Sequence, residues 1–296
     1  MDMKKKNIMA VVLSFTCMFS MPVTVHAERT NVACPAVQIS GEVVCLSGPA
    51  KLDLSNVAEG YIVAGYYGDC PKVKLQITGQ DNNTYTYDLH GGDEVFPLSA
   101  GNGEYLVSIY ENIEGNRYTA VLKQPVYVEI TNLFGPYLYP NQYANFHPDS
   151  ETVKMAGQLS VPAQTDLEVV SNIYNYIKDN IIYDYEKASS VESGYLPDVD
   201  VILANKKGIC LDYASLMVSM LRSQGIPARI DVGYVDGAYH AWVNVYVQEE
   251  GWINGVIRFD GSNWTLMDPT FAAVSEDVAL QGFIGDGSGY QTRFIY

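Results

Sequence analysis

The sequence predicts an α+β chain in two parts: a β-sandwich, then a cysteine-bearing helix packed on an antiparallel sheet. Three observations carry that prediction. Short alternating runs cut by turn residues fill Ala33 to Ile130, with no helical window between them. A capped helical pattern then starts at Thr165, and a second follows Cys210. The rest of the chain carries β-branched and aromatic runs divided by Asp-Gly turns.

In chain order, residues 1–27 read as a signal peptide. Lys4, Lys5 and Lys6 form a basic start, Ile8 to Phe15 is mostly apolar, and Val25-His26-Ala27 has the small-residue spacing of a cleavage site. The apolar stretch falls short of the roughly 18 residues a membrane span needs. Ser14-Phe15-Thr16 is a poor lipobox ahead of Cys17. The expectation is a secreted or extracytoplasmic protein whose mature chain starts at Glu28, long enough for two domains at about 150 residues each. The full chain carries a formal charge of −16, and removal of Lys4, Lys5, Lys6 and Asp2 takes it to −18. The acids are scattered and no Lys/Arg cluster exists to displace counterions, which excludes nucleic acid as a partner.

Within the expected immunoglobulin-like sandwich, residues 28–130, the strands are Tyr61 to Tyr67, Lys72 to Thr78, Thr84 to Leu89, Tyr105 to Tyr110 and Pro125 to Ile130. Asp81-Asn82-Asn83, Gly91-Gly92, Gly101-Asn102-Gly103 and Glu114-Gly115-Asn116 separate them. Cys34, Cys45 and Cys70 lie close together in sequence, and export permits one disulfide among them without choosing its pairing. Residues 131–164, broken by Pro136, Pro140, Pro148 and Pro162, read as a linker. The 23 tyrosines favour strand faces and interdomain packing over carbohydrate stacking.

The second domain is expected over 165–296. Thr165-Asp-Leu-Glu168 is a capping box, and Leu167, Val170, Ile173, Tyr174, Ile177 and Ile181 follow at helical spacing. Tyr185 to Lys207 reads as a loop, in which Asp198 and Asp200 favour a helix cap over a metal or acid/base pair. Cys210 then opens a helix whose apolar stripe is Tyr213, Ala214, Leu216, Met217, Met220 and Leu221, with Gly225 as the stop. Free N–H groups and the helix dipole favour a thiolate at such a position, while Asp212 opposes one.

A nucleophile also needs a proton acceptor. His90, in a sandwich turn, and His147, before a proline, suit the surface. His240 instead opens a strand after the Asp236-Gly237 turn and shares a face with Trp242, Asn244 and Tyr246. Trp242 is the candidate substrate contact on that face. A third strand, Trp264 to Asp268, ends in a carboxylate able to accept an imidazole N–H and fix its tautomer.

Gly208-x-Cys210-x-Asp-Tyr-Ala214, Leu221-Arg-Ser-x-Gly-Ile-Pro-Ala-Arg229, Gly233-Tyr234, His240-Ala-Trp-Val243 and Asp268-Pro-Thr270 together resemble the transglutaminase-like core of bacterial exported proteins. The resemblance covers about Thr165 to Phe271. It implies a papain-like fold with Cys210 as nucleophile, His240 as general base and acid, and Asp268 as orienter. The Cys210 N–H is the one oxyanion donor that can be named. The implied activity is thiol-dependent acyl transfer or hydrolysis on amide bonds of peptides or protein side chains, cell-wall-associated substrates included, with no metal or cofactor. The rival is a catalytically silent cell-surface scaffold, though a scaffold has no physical need for all three residues. A zinc site built on Cys210 and His240 lacks the tight local ligand pairs such sites use.

Overall fold

The computed structural model describes residues 33–235, 237–248, 250–253, 257–259, 264–266, 270 and 289–296. The expected signal peptide therefore lies outside the described residues, as does Asp268.

Among the described residues eight strands precede the first α-helix: β1 (Val44–Ser47), β2 (Ala50–Asp53), β3 (Tyr61–Tyr66), β4 (Val73–Thr78), β5 (Thr84–Leu89), β6 (Gly92–Pro97), β7 (Gly103–Glu114) and β8 (Arg117–Val128). They form two antiparallel four-stranded sheets, ordered β1-β2-β3-β6 and β5-β4-β7-β8. The chain changes sheet between β3 and β4, β5 and β6, and β6 and β7, which is Greek-key connectivity. Period-two patterning sets the inner faces: Leu75 and Ile77 of β4 and Tyr85, Tyr87 and Leu89 of β5 are buried, while Thr84 and Thr86 are exposed. Strands β1, β2 and β6 escape the sequence reading. The first two have four residues each, and β6 starts at Gly92, inside a pair read as a separator.

Two further corrections concern the middle of the chain. Helix α1 (Glu151–Ser160) sits inside the segment read as linker. Pro148 and Pro162 bracket this helix instead of breaking it, and the Asp200 carboxylate accepts the Glu151 and Thr152 N–H groups at its start, at 3.2 and 2.8 Å. The segment read as a loop contains α3 (Tyr185–Ser190) and α4 (Val199–Asn205), the latter capped by Asp198 at 3.0 Å from the Val201 N–H. Each helix is too short for a 3.6-residue period to show.

Helix α2 (Asp166–Asn180) starts at the expected capping box, although Glu168 accepts the N–H of Gln164, not of Thr165. Strands β9 (Ile182–Tyr183) and β10 (Lys207–Gly208) then pair in parallel and deliver the chain to α5 (Cys210–Ser223). Every residue of α5 from Asp212 to Ser223 is buried, so the expected one-sided stripe is covered on all sides. Helices α1, α2 and α4 pack on it, as do β11 (Ala228–Val235) and β12 (Ala238–Val247). The helix ends in a Schellman pattern, with Ile226 N–H on Leu221 C=O and Gly225 N–H on Arg222 C=O.

The sheet of β11 and β12 adds β13 (Gly251–Ile253) and β16 (Tyr290–Ile295), in the order β13-β12-β11-β16. Strands β14 (Ile257–Phe259) and β15 (Trp264–Leu266) pair with each other. Strand β15, part of the expected third strand, thus pairs with β14, while among the described residues β12 has β11 and β13 as its neighbours.

The two halves meet through aromatic rings. Tyr85 and Tyr87 of β5 contact Tyr296 edge-on at 5.7 and 5.9 Å, and Tyr143 lies 4.2 Å from Tyr296. A second set joins Phe134 to Tyr246 at 4.2 Å and Tyr137 to Trp252 at 5.3 Å. Such pairs contribute about 0.5–1.5 kcal/mol each beyond their buried area. The tyrosine-rich stretch therefore packs the sandwich sheets against the sheet of β11 and β12.

Candidate active site

Gly208 and Ile209 set the entry to α5. A Cβ on Gly208 would fall 2.6 Å from the Asp212 Cβ, so the close approach of this carboxylate requires glycine. Asp212 is fully buried at the third helical position. It accepts the Ile209 N–H at 2.8 Å and the Tyr195 hydroxyl at 2.6 Å, and it pairs with the Lys187 ammonium at 2.5 Å. Lys187 also donates to the Tyr195 oxygen at 2.6 Å. Burial, with the Asp212 carboxylate next, pushes the Tyr195 phenol well above its ordinary range, so it remains a donor. The negative charge that sequence reasoning set against a thiolate is therefore met by a cation from α3. Nothing in the sequence pattern ties Lys187 or Tyr195 to Cys210. Their neighbourhood arises from the short β9–β10 pairing, which two residues per strand do not reveal.

Cys210 is half-buried and opens this helix. His240 sits on β12 and is 7% exposed, its ring stacked toward Trp242 with centroids 6.4 Å apart. It stands in register with Gly233, where a Cβ would collide with the main chain of Gln291 on β16. Cys210 and His240 both line one cavity of about 590 Å³. Tyr239, Gln142, Tyr143 and the Val191–Leu196 turn complete much of its wall, and Thr86 and Asp88 of the sandwich form another side. Burial, then Tyr234 and Cys210, raise the Tyr239 phenol above its ordinary value.

Trp242 is 3% exposed, does not line the cavity, and meets Tyr290 edge-on at 5.0 Å. Its ring stacks beside His240 on the same strand face, so in this geometry it contacts the histidine and not the cavity. Asn244 is buried on the same face near Asp231, whose carboxyl is raised by burial against the opposing effects of Arg229, Thr292 and Asn244. His90 is largely exposed beside Glu94, on the rim of the same cavity. Cys34, Cys45 and Cys70 are free thiols. Among the described residues no cluster of three or more His, Cys, Asp or Glu side chains is arranged to hold a metal ion, and no helix is long and apolar enough to cross a membrane.

Comparison with known proteins adds a family to this geometry. Residues 153–255 match the Transglutaminase-like superfamily. The match includes most of α1, earlier than the Thr165 start that the motifs suggested. The protein YebA of Bacillus subtilis is 28% identical over 206 residues, covering 60% of this chain and 27% of YebA. The protein-glutamine gamma-glutamyltransferase of Pseudomonas aeruginosa is 29% identical over 93 residues, which is 27% of this chain and 12% of that protein. The chain thus spans about a quarter or less of the length of these curated relatives. The solved periplasmic domain of TgpA from Pseudomonas aeruginosa is 16% identical, with a TM-score of 0.37 over 85% of this chain and 79% of that domain.

Proposed function

We infer that this chain, whose residues 153–255 belong to the transglutaminase-like superfamily, is an exported cysteine enzyme acting on amide bonds of peptides or protein side chains. One observation carries the reading: Cys210, at the N-terminal end of α5, and His240, on β12, line the same cavity. In the proposed reaction the Cys210 thiolate adds to the amide carbonyl while His240 holds the thiol proton. The oxyanion is met by the Cys210 N–H at the helix start. Collapse of the adduct breaks the C–N bond, and His240 passes its proton to the departing ammonia or amine. Water or an amine then attacks the thioester, giving hydrolysis or transfer. Asp268 is proposed to hold the imidazole tautomer. The Lys187–Asp212 pair supports the reading because it cancels a charge that would oppose the thiolate.

The test is alkylation of the native full chain by iodoacetamide, read residue by residue by mass spectrometry near pH 6.5. Cys210 is expected to react faster than the same thiol in the denatured chain. A Cys210 that is labelled only after denaturation would favour an inert, structural thiol.

A further inference from the structure

We propose that the cavity takes its substrate as an extended peptide strand, which adds to the open edge of β5 and pairs with the main chain of Thr86. The proposal rests on the acyl-transfer reading above and says how a peptide is held beside Cys210.

Hydrogen-bond direction decides which main-chain groups of β5 lie open. Strand β4 lies between β5 and β7, so its residues alternate in the neighbour their main-chain groups address. The Asn112 N–H donates to the Lys72 carbonyl at 3.0 Å, which points Lys72 towards the β7 side. By alternation Lys74 and Gln76 also face β7, while Val73, Leu75 and Ile77 face β5. Their partners there are Leu89, Tyr87 and Tyr85. The N–H and C=O groups of Thr84, Thr86 and Asp88 must therefore point away from the sheet. An independent contact agrees: the Gln142 Nε2 donates to the Asp88 carbonyl at 2.7 Å from outside the sheet.

Among the described residues β5 pairs with β4 alone, and this outer edge runs along the candidate site. Thr86 and Asp88 line the cavity that Cys210 and His240 also line. Exposed sheet edges invite a further strand and are usually blunted. Here Gln142 occupies the Asp88 carbonyl, and Thr86, a β-branched residue suited to strand pairing, follows two positions nearer the start of β5. A peptide laid on this edge gains affinity from main-chain bonds and offers alternate side chains to either face. One phase of that alternation would present a carboxamide side chain towards Cys210. The sandwich then forms part of the substrate site instead of serving as a remote module.

The test uses purified full chain carrying Cys210→Ala and a degenerate library of seven-residue peptides with glutamine fixed at the centre. Two further libraries carry N-methyl groups on alternate residues, in phase or out of phase with the glutamine. Retention on the immobilised protein is measured by mass spectrometry. The parent library should bind. One N-methyl phase should weaken binding about ten-fold, the scale of one or two main-chain bonds, while the other stays close to the parent. Thr86→Pro, a substitution tolerated on edge strands, should weaken the parent similarly and erase the difference between phases. Equal effects of the two phases, or no binding of the parent library, would overturn the proposal, and the phase comparison needs no variant at Thr86. If wild-type Cys210 becomes acylated while the phases are equal, strand pairing fails and the acyl-transfer reading stands. If the phases differ but Cys210 never becomes acylated, pairing stands and that reading fails.

Discussion

The two ends of α5 each bury a charge, and they compensate it in different ways. At the N-terminal end Asp212 has a countercharge, Lys187, together with Tyr195 and the Ile209 N–H. At the C-terminal end Arg222 is fully buried and donates to three main-chain oxygens: Ala228 at 2.8 Å, Tyr139 at 2.8 Å and Tyr296 at 2.9 Å. Burial lowers Arg222 to about 9, which leaves it cationic at neutral pH, and the negative end of the helix dipole favours that charge. The three oxygens belong to the start of β11, the segment after the sandwich and the last described residue. The C-terminal end therefore ties three distant segments together, and the N-terminal end carries a paired charge two residues from Cys210.

The largest expected effect tests the C-terminal end. Arg222→Met should cost about 3–5 kcal/mol in urea unfolding, because three main-chain oxygens lose their donor at about 1–3 kcal/mol each and methionine packing restores only part. A cost under about 1 kcal/mol would show that water or a local shift satisfies them. Lys187→Met comes next. It leaves Asp212 without its cation, and since Lys187 is partly exposed the expected loss is about 1–3 kcal/mol. It should also slow Cys210 alkylation several-fold at neutral pH, whereas Arg222→Met should leave the initial rate of the folded protein unchanged. Equal slowing in both variants would erase the division of labour. Combining Lys187→Met with Asp212→Asn should recover part of both losses, since neither charge is then left alone.

Much of this contrast was hidden in the sequence, for identifiable reasons. The helix that starts at Cys210 and the strand that carries His240 were legible because a helix start and a strand alternation are local signals. The sandwich strands with six or more alternating residues were legible for the same reason. Lys187 and Tyr195 were not, since they reach Asp212 through a two-residue parallel pairing and a three-dimensional turn. Helix α1 was masked by flanking prolines that also mark helix limits. Strand β15 was read correctly as a strand, but its partner is β14, and period two carries no information about pairing. Trp242 was assigned to the right face, yet Tyr290, nearly fifty residues away, covers it.

A smaller effect concerns the aromatic seam between the halves. Burial raises the Tyr85 phenol to about 12 and also raises Tyr143. A phenol raised in the folded state contributes stability that is complete below its unfolded value near 10 and is lost as pH rises through the folded value. Unfolding free energy should thus be flat from about pH 8 to 10 and fall between about 10 and 12. Tyr85→Phe should flatten that fall with little change at neutral pH beyond the loss of one hydroxyl contact. An alkaline limb unchanged by Tyr85→Phe would place the titrating groups elsewhere.

Whether Cys210 forms a covalent acyl link is tested most directly by intact-mass measurement of the full chain. After incubation with the glutamine-centred peptide library, the account predicts a hydroxylamine-labile adduct on Cys210. Its mass should be that of the peptide less ammonia, absent from Cys210→Ala and strongly slowed in His240→Ala. No adduct at Cys210, or the same adduct in Cys210→Ala, would contradict the account.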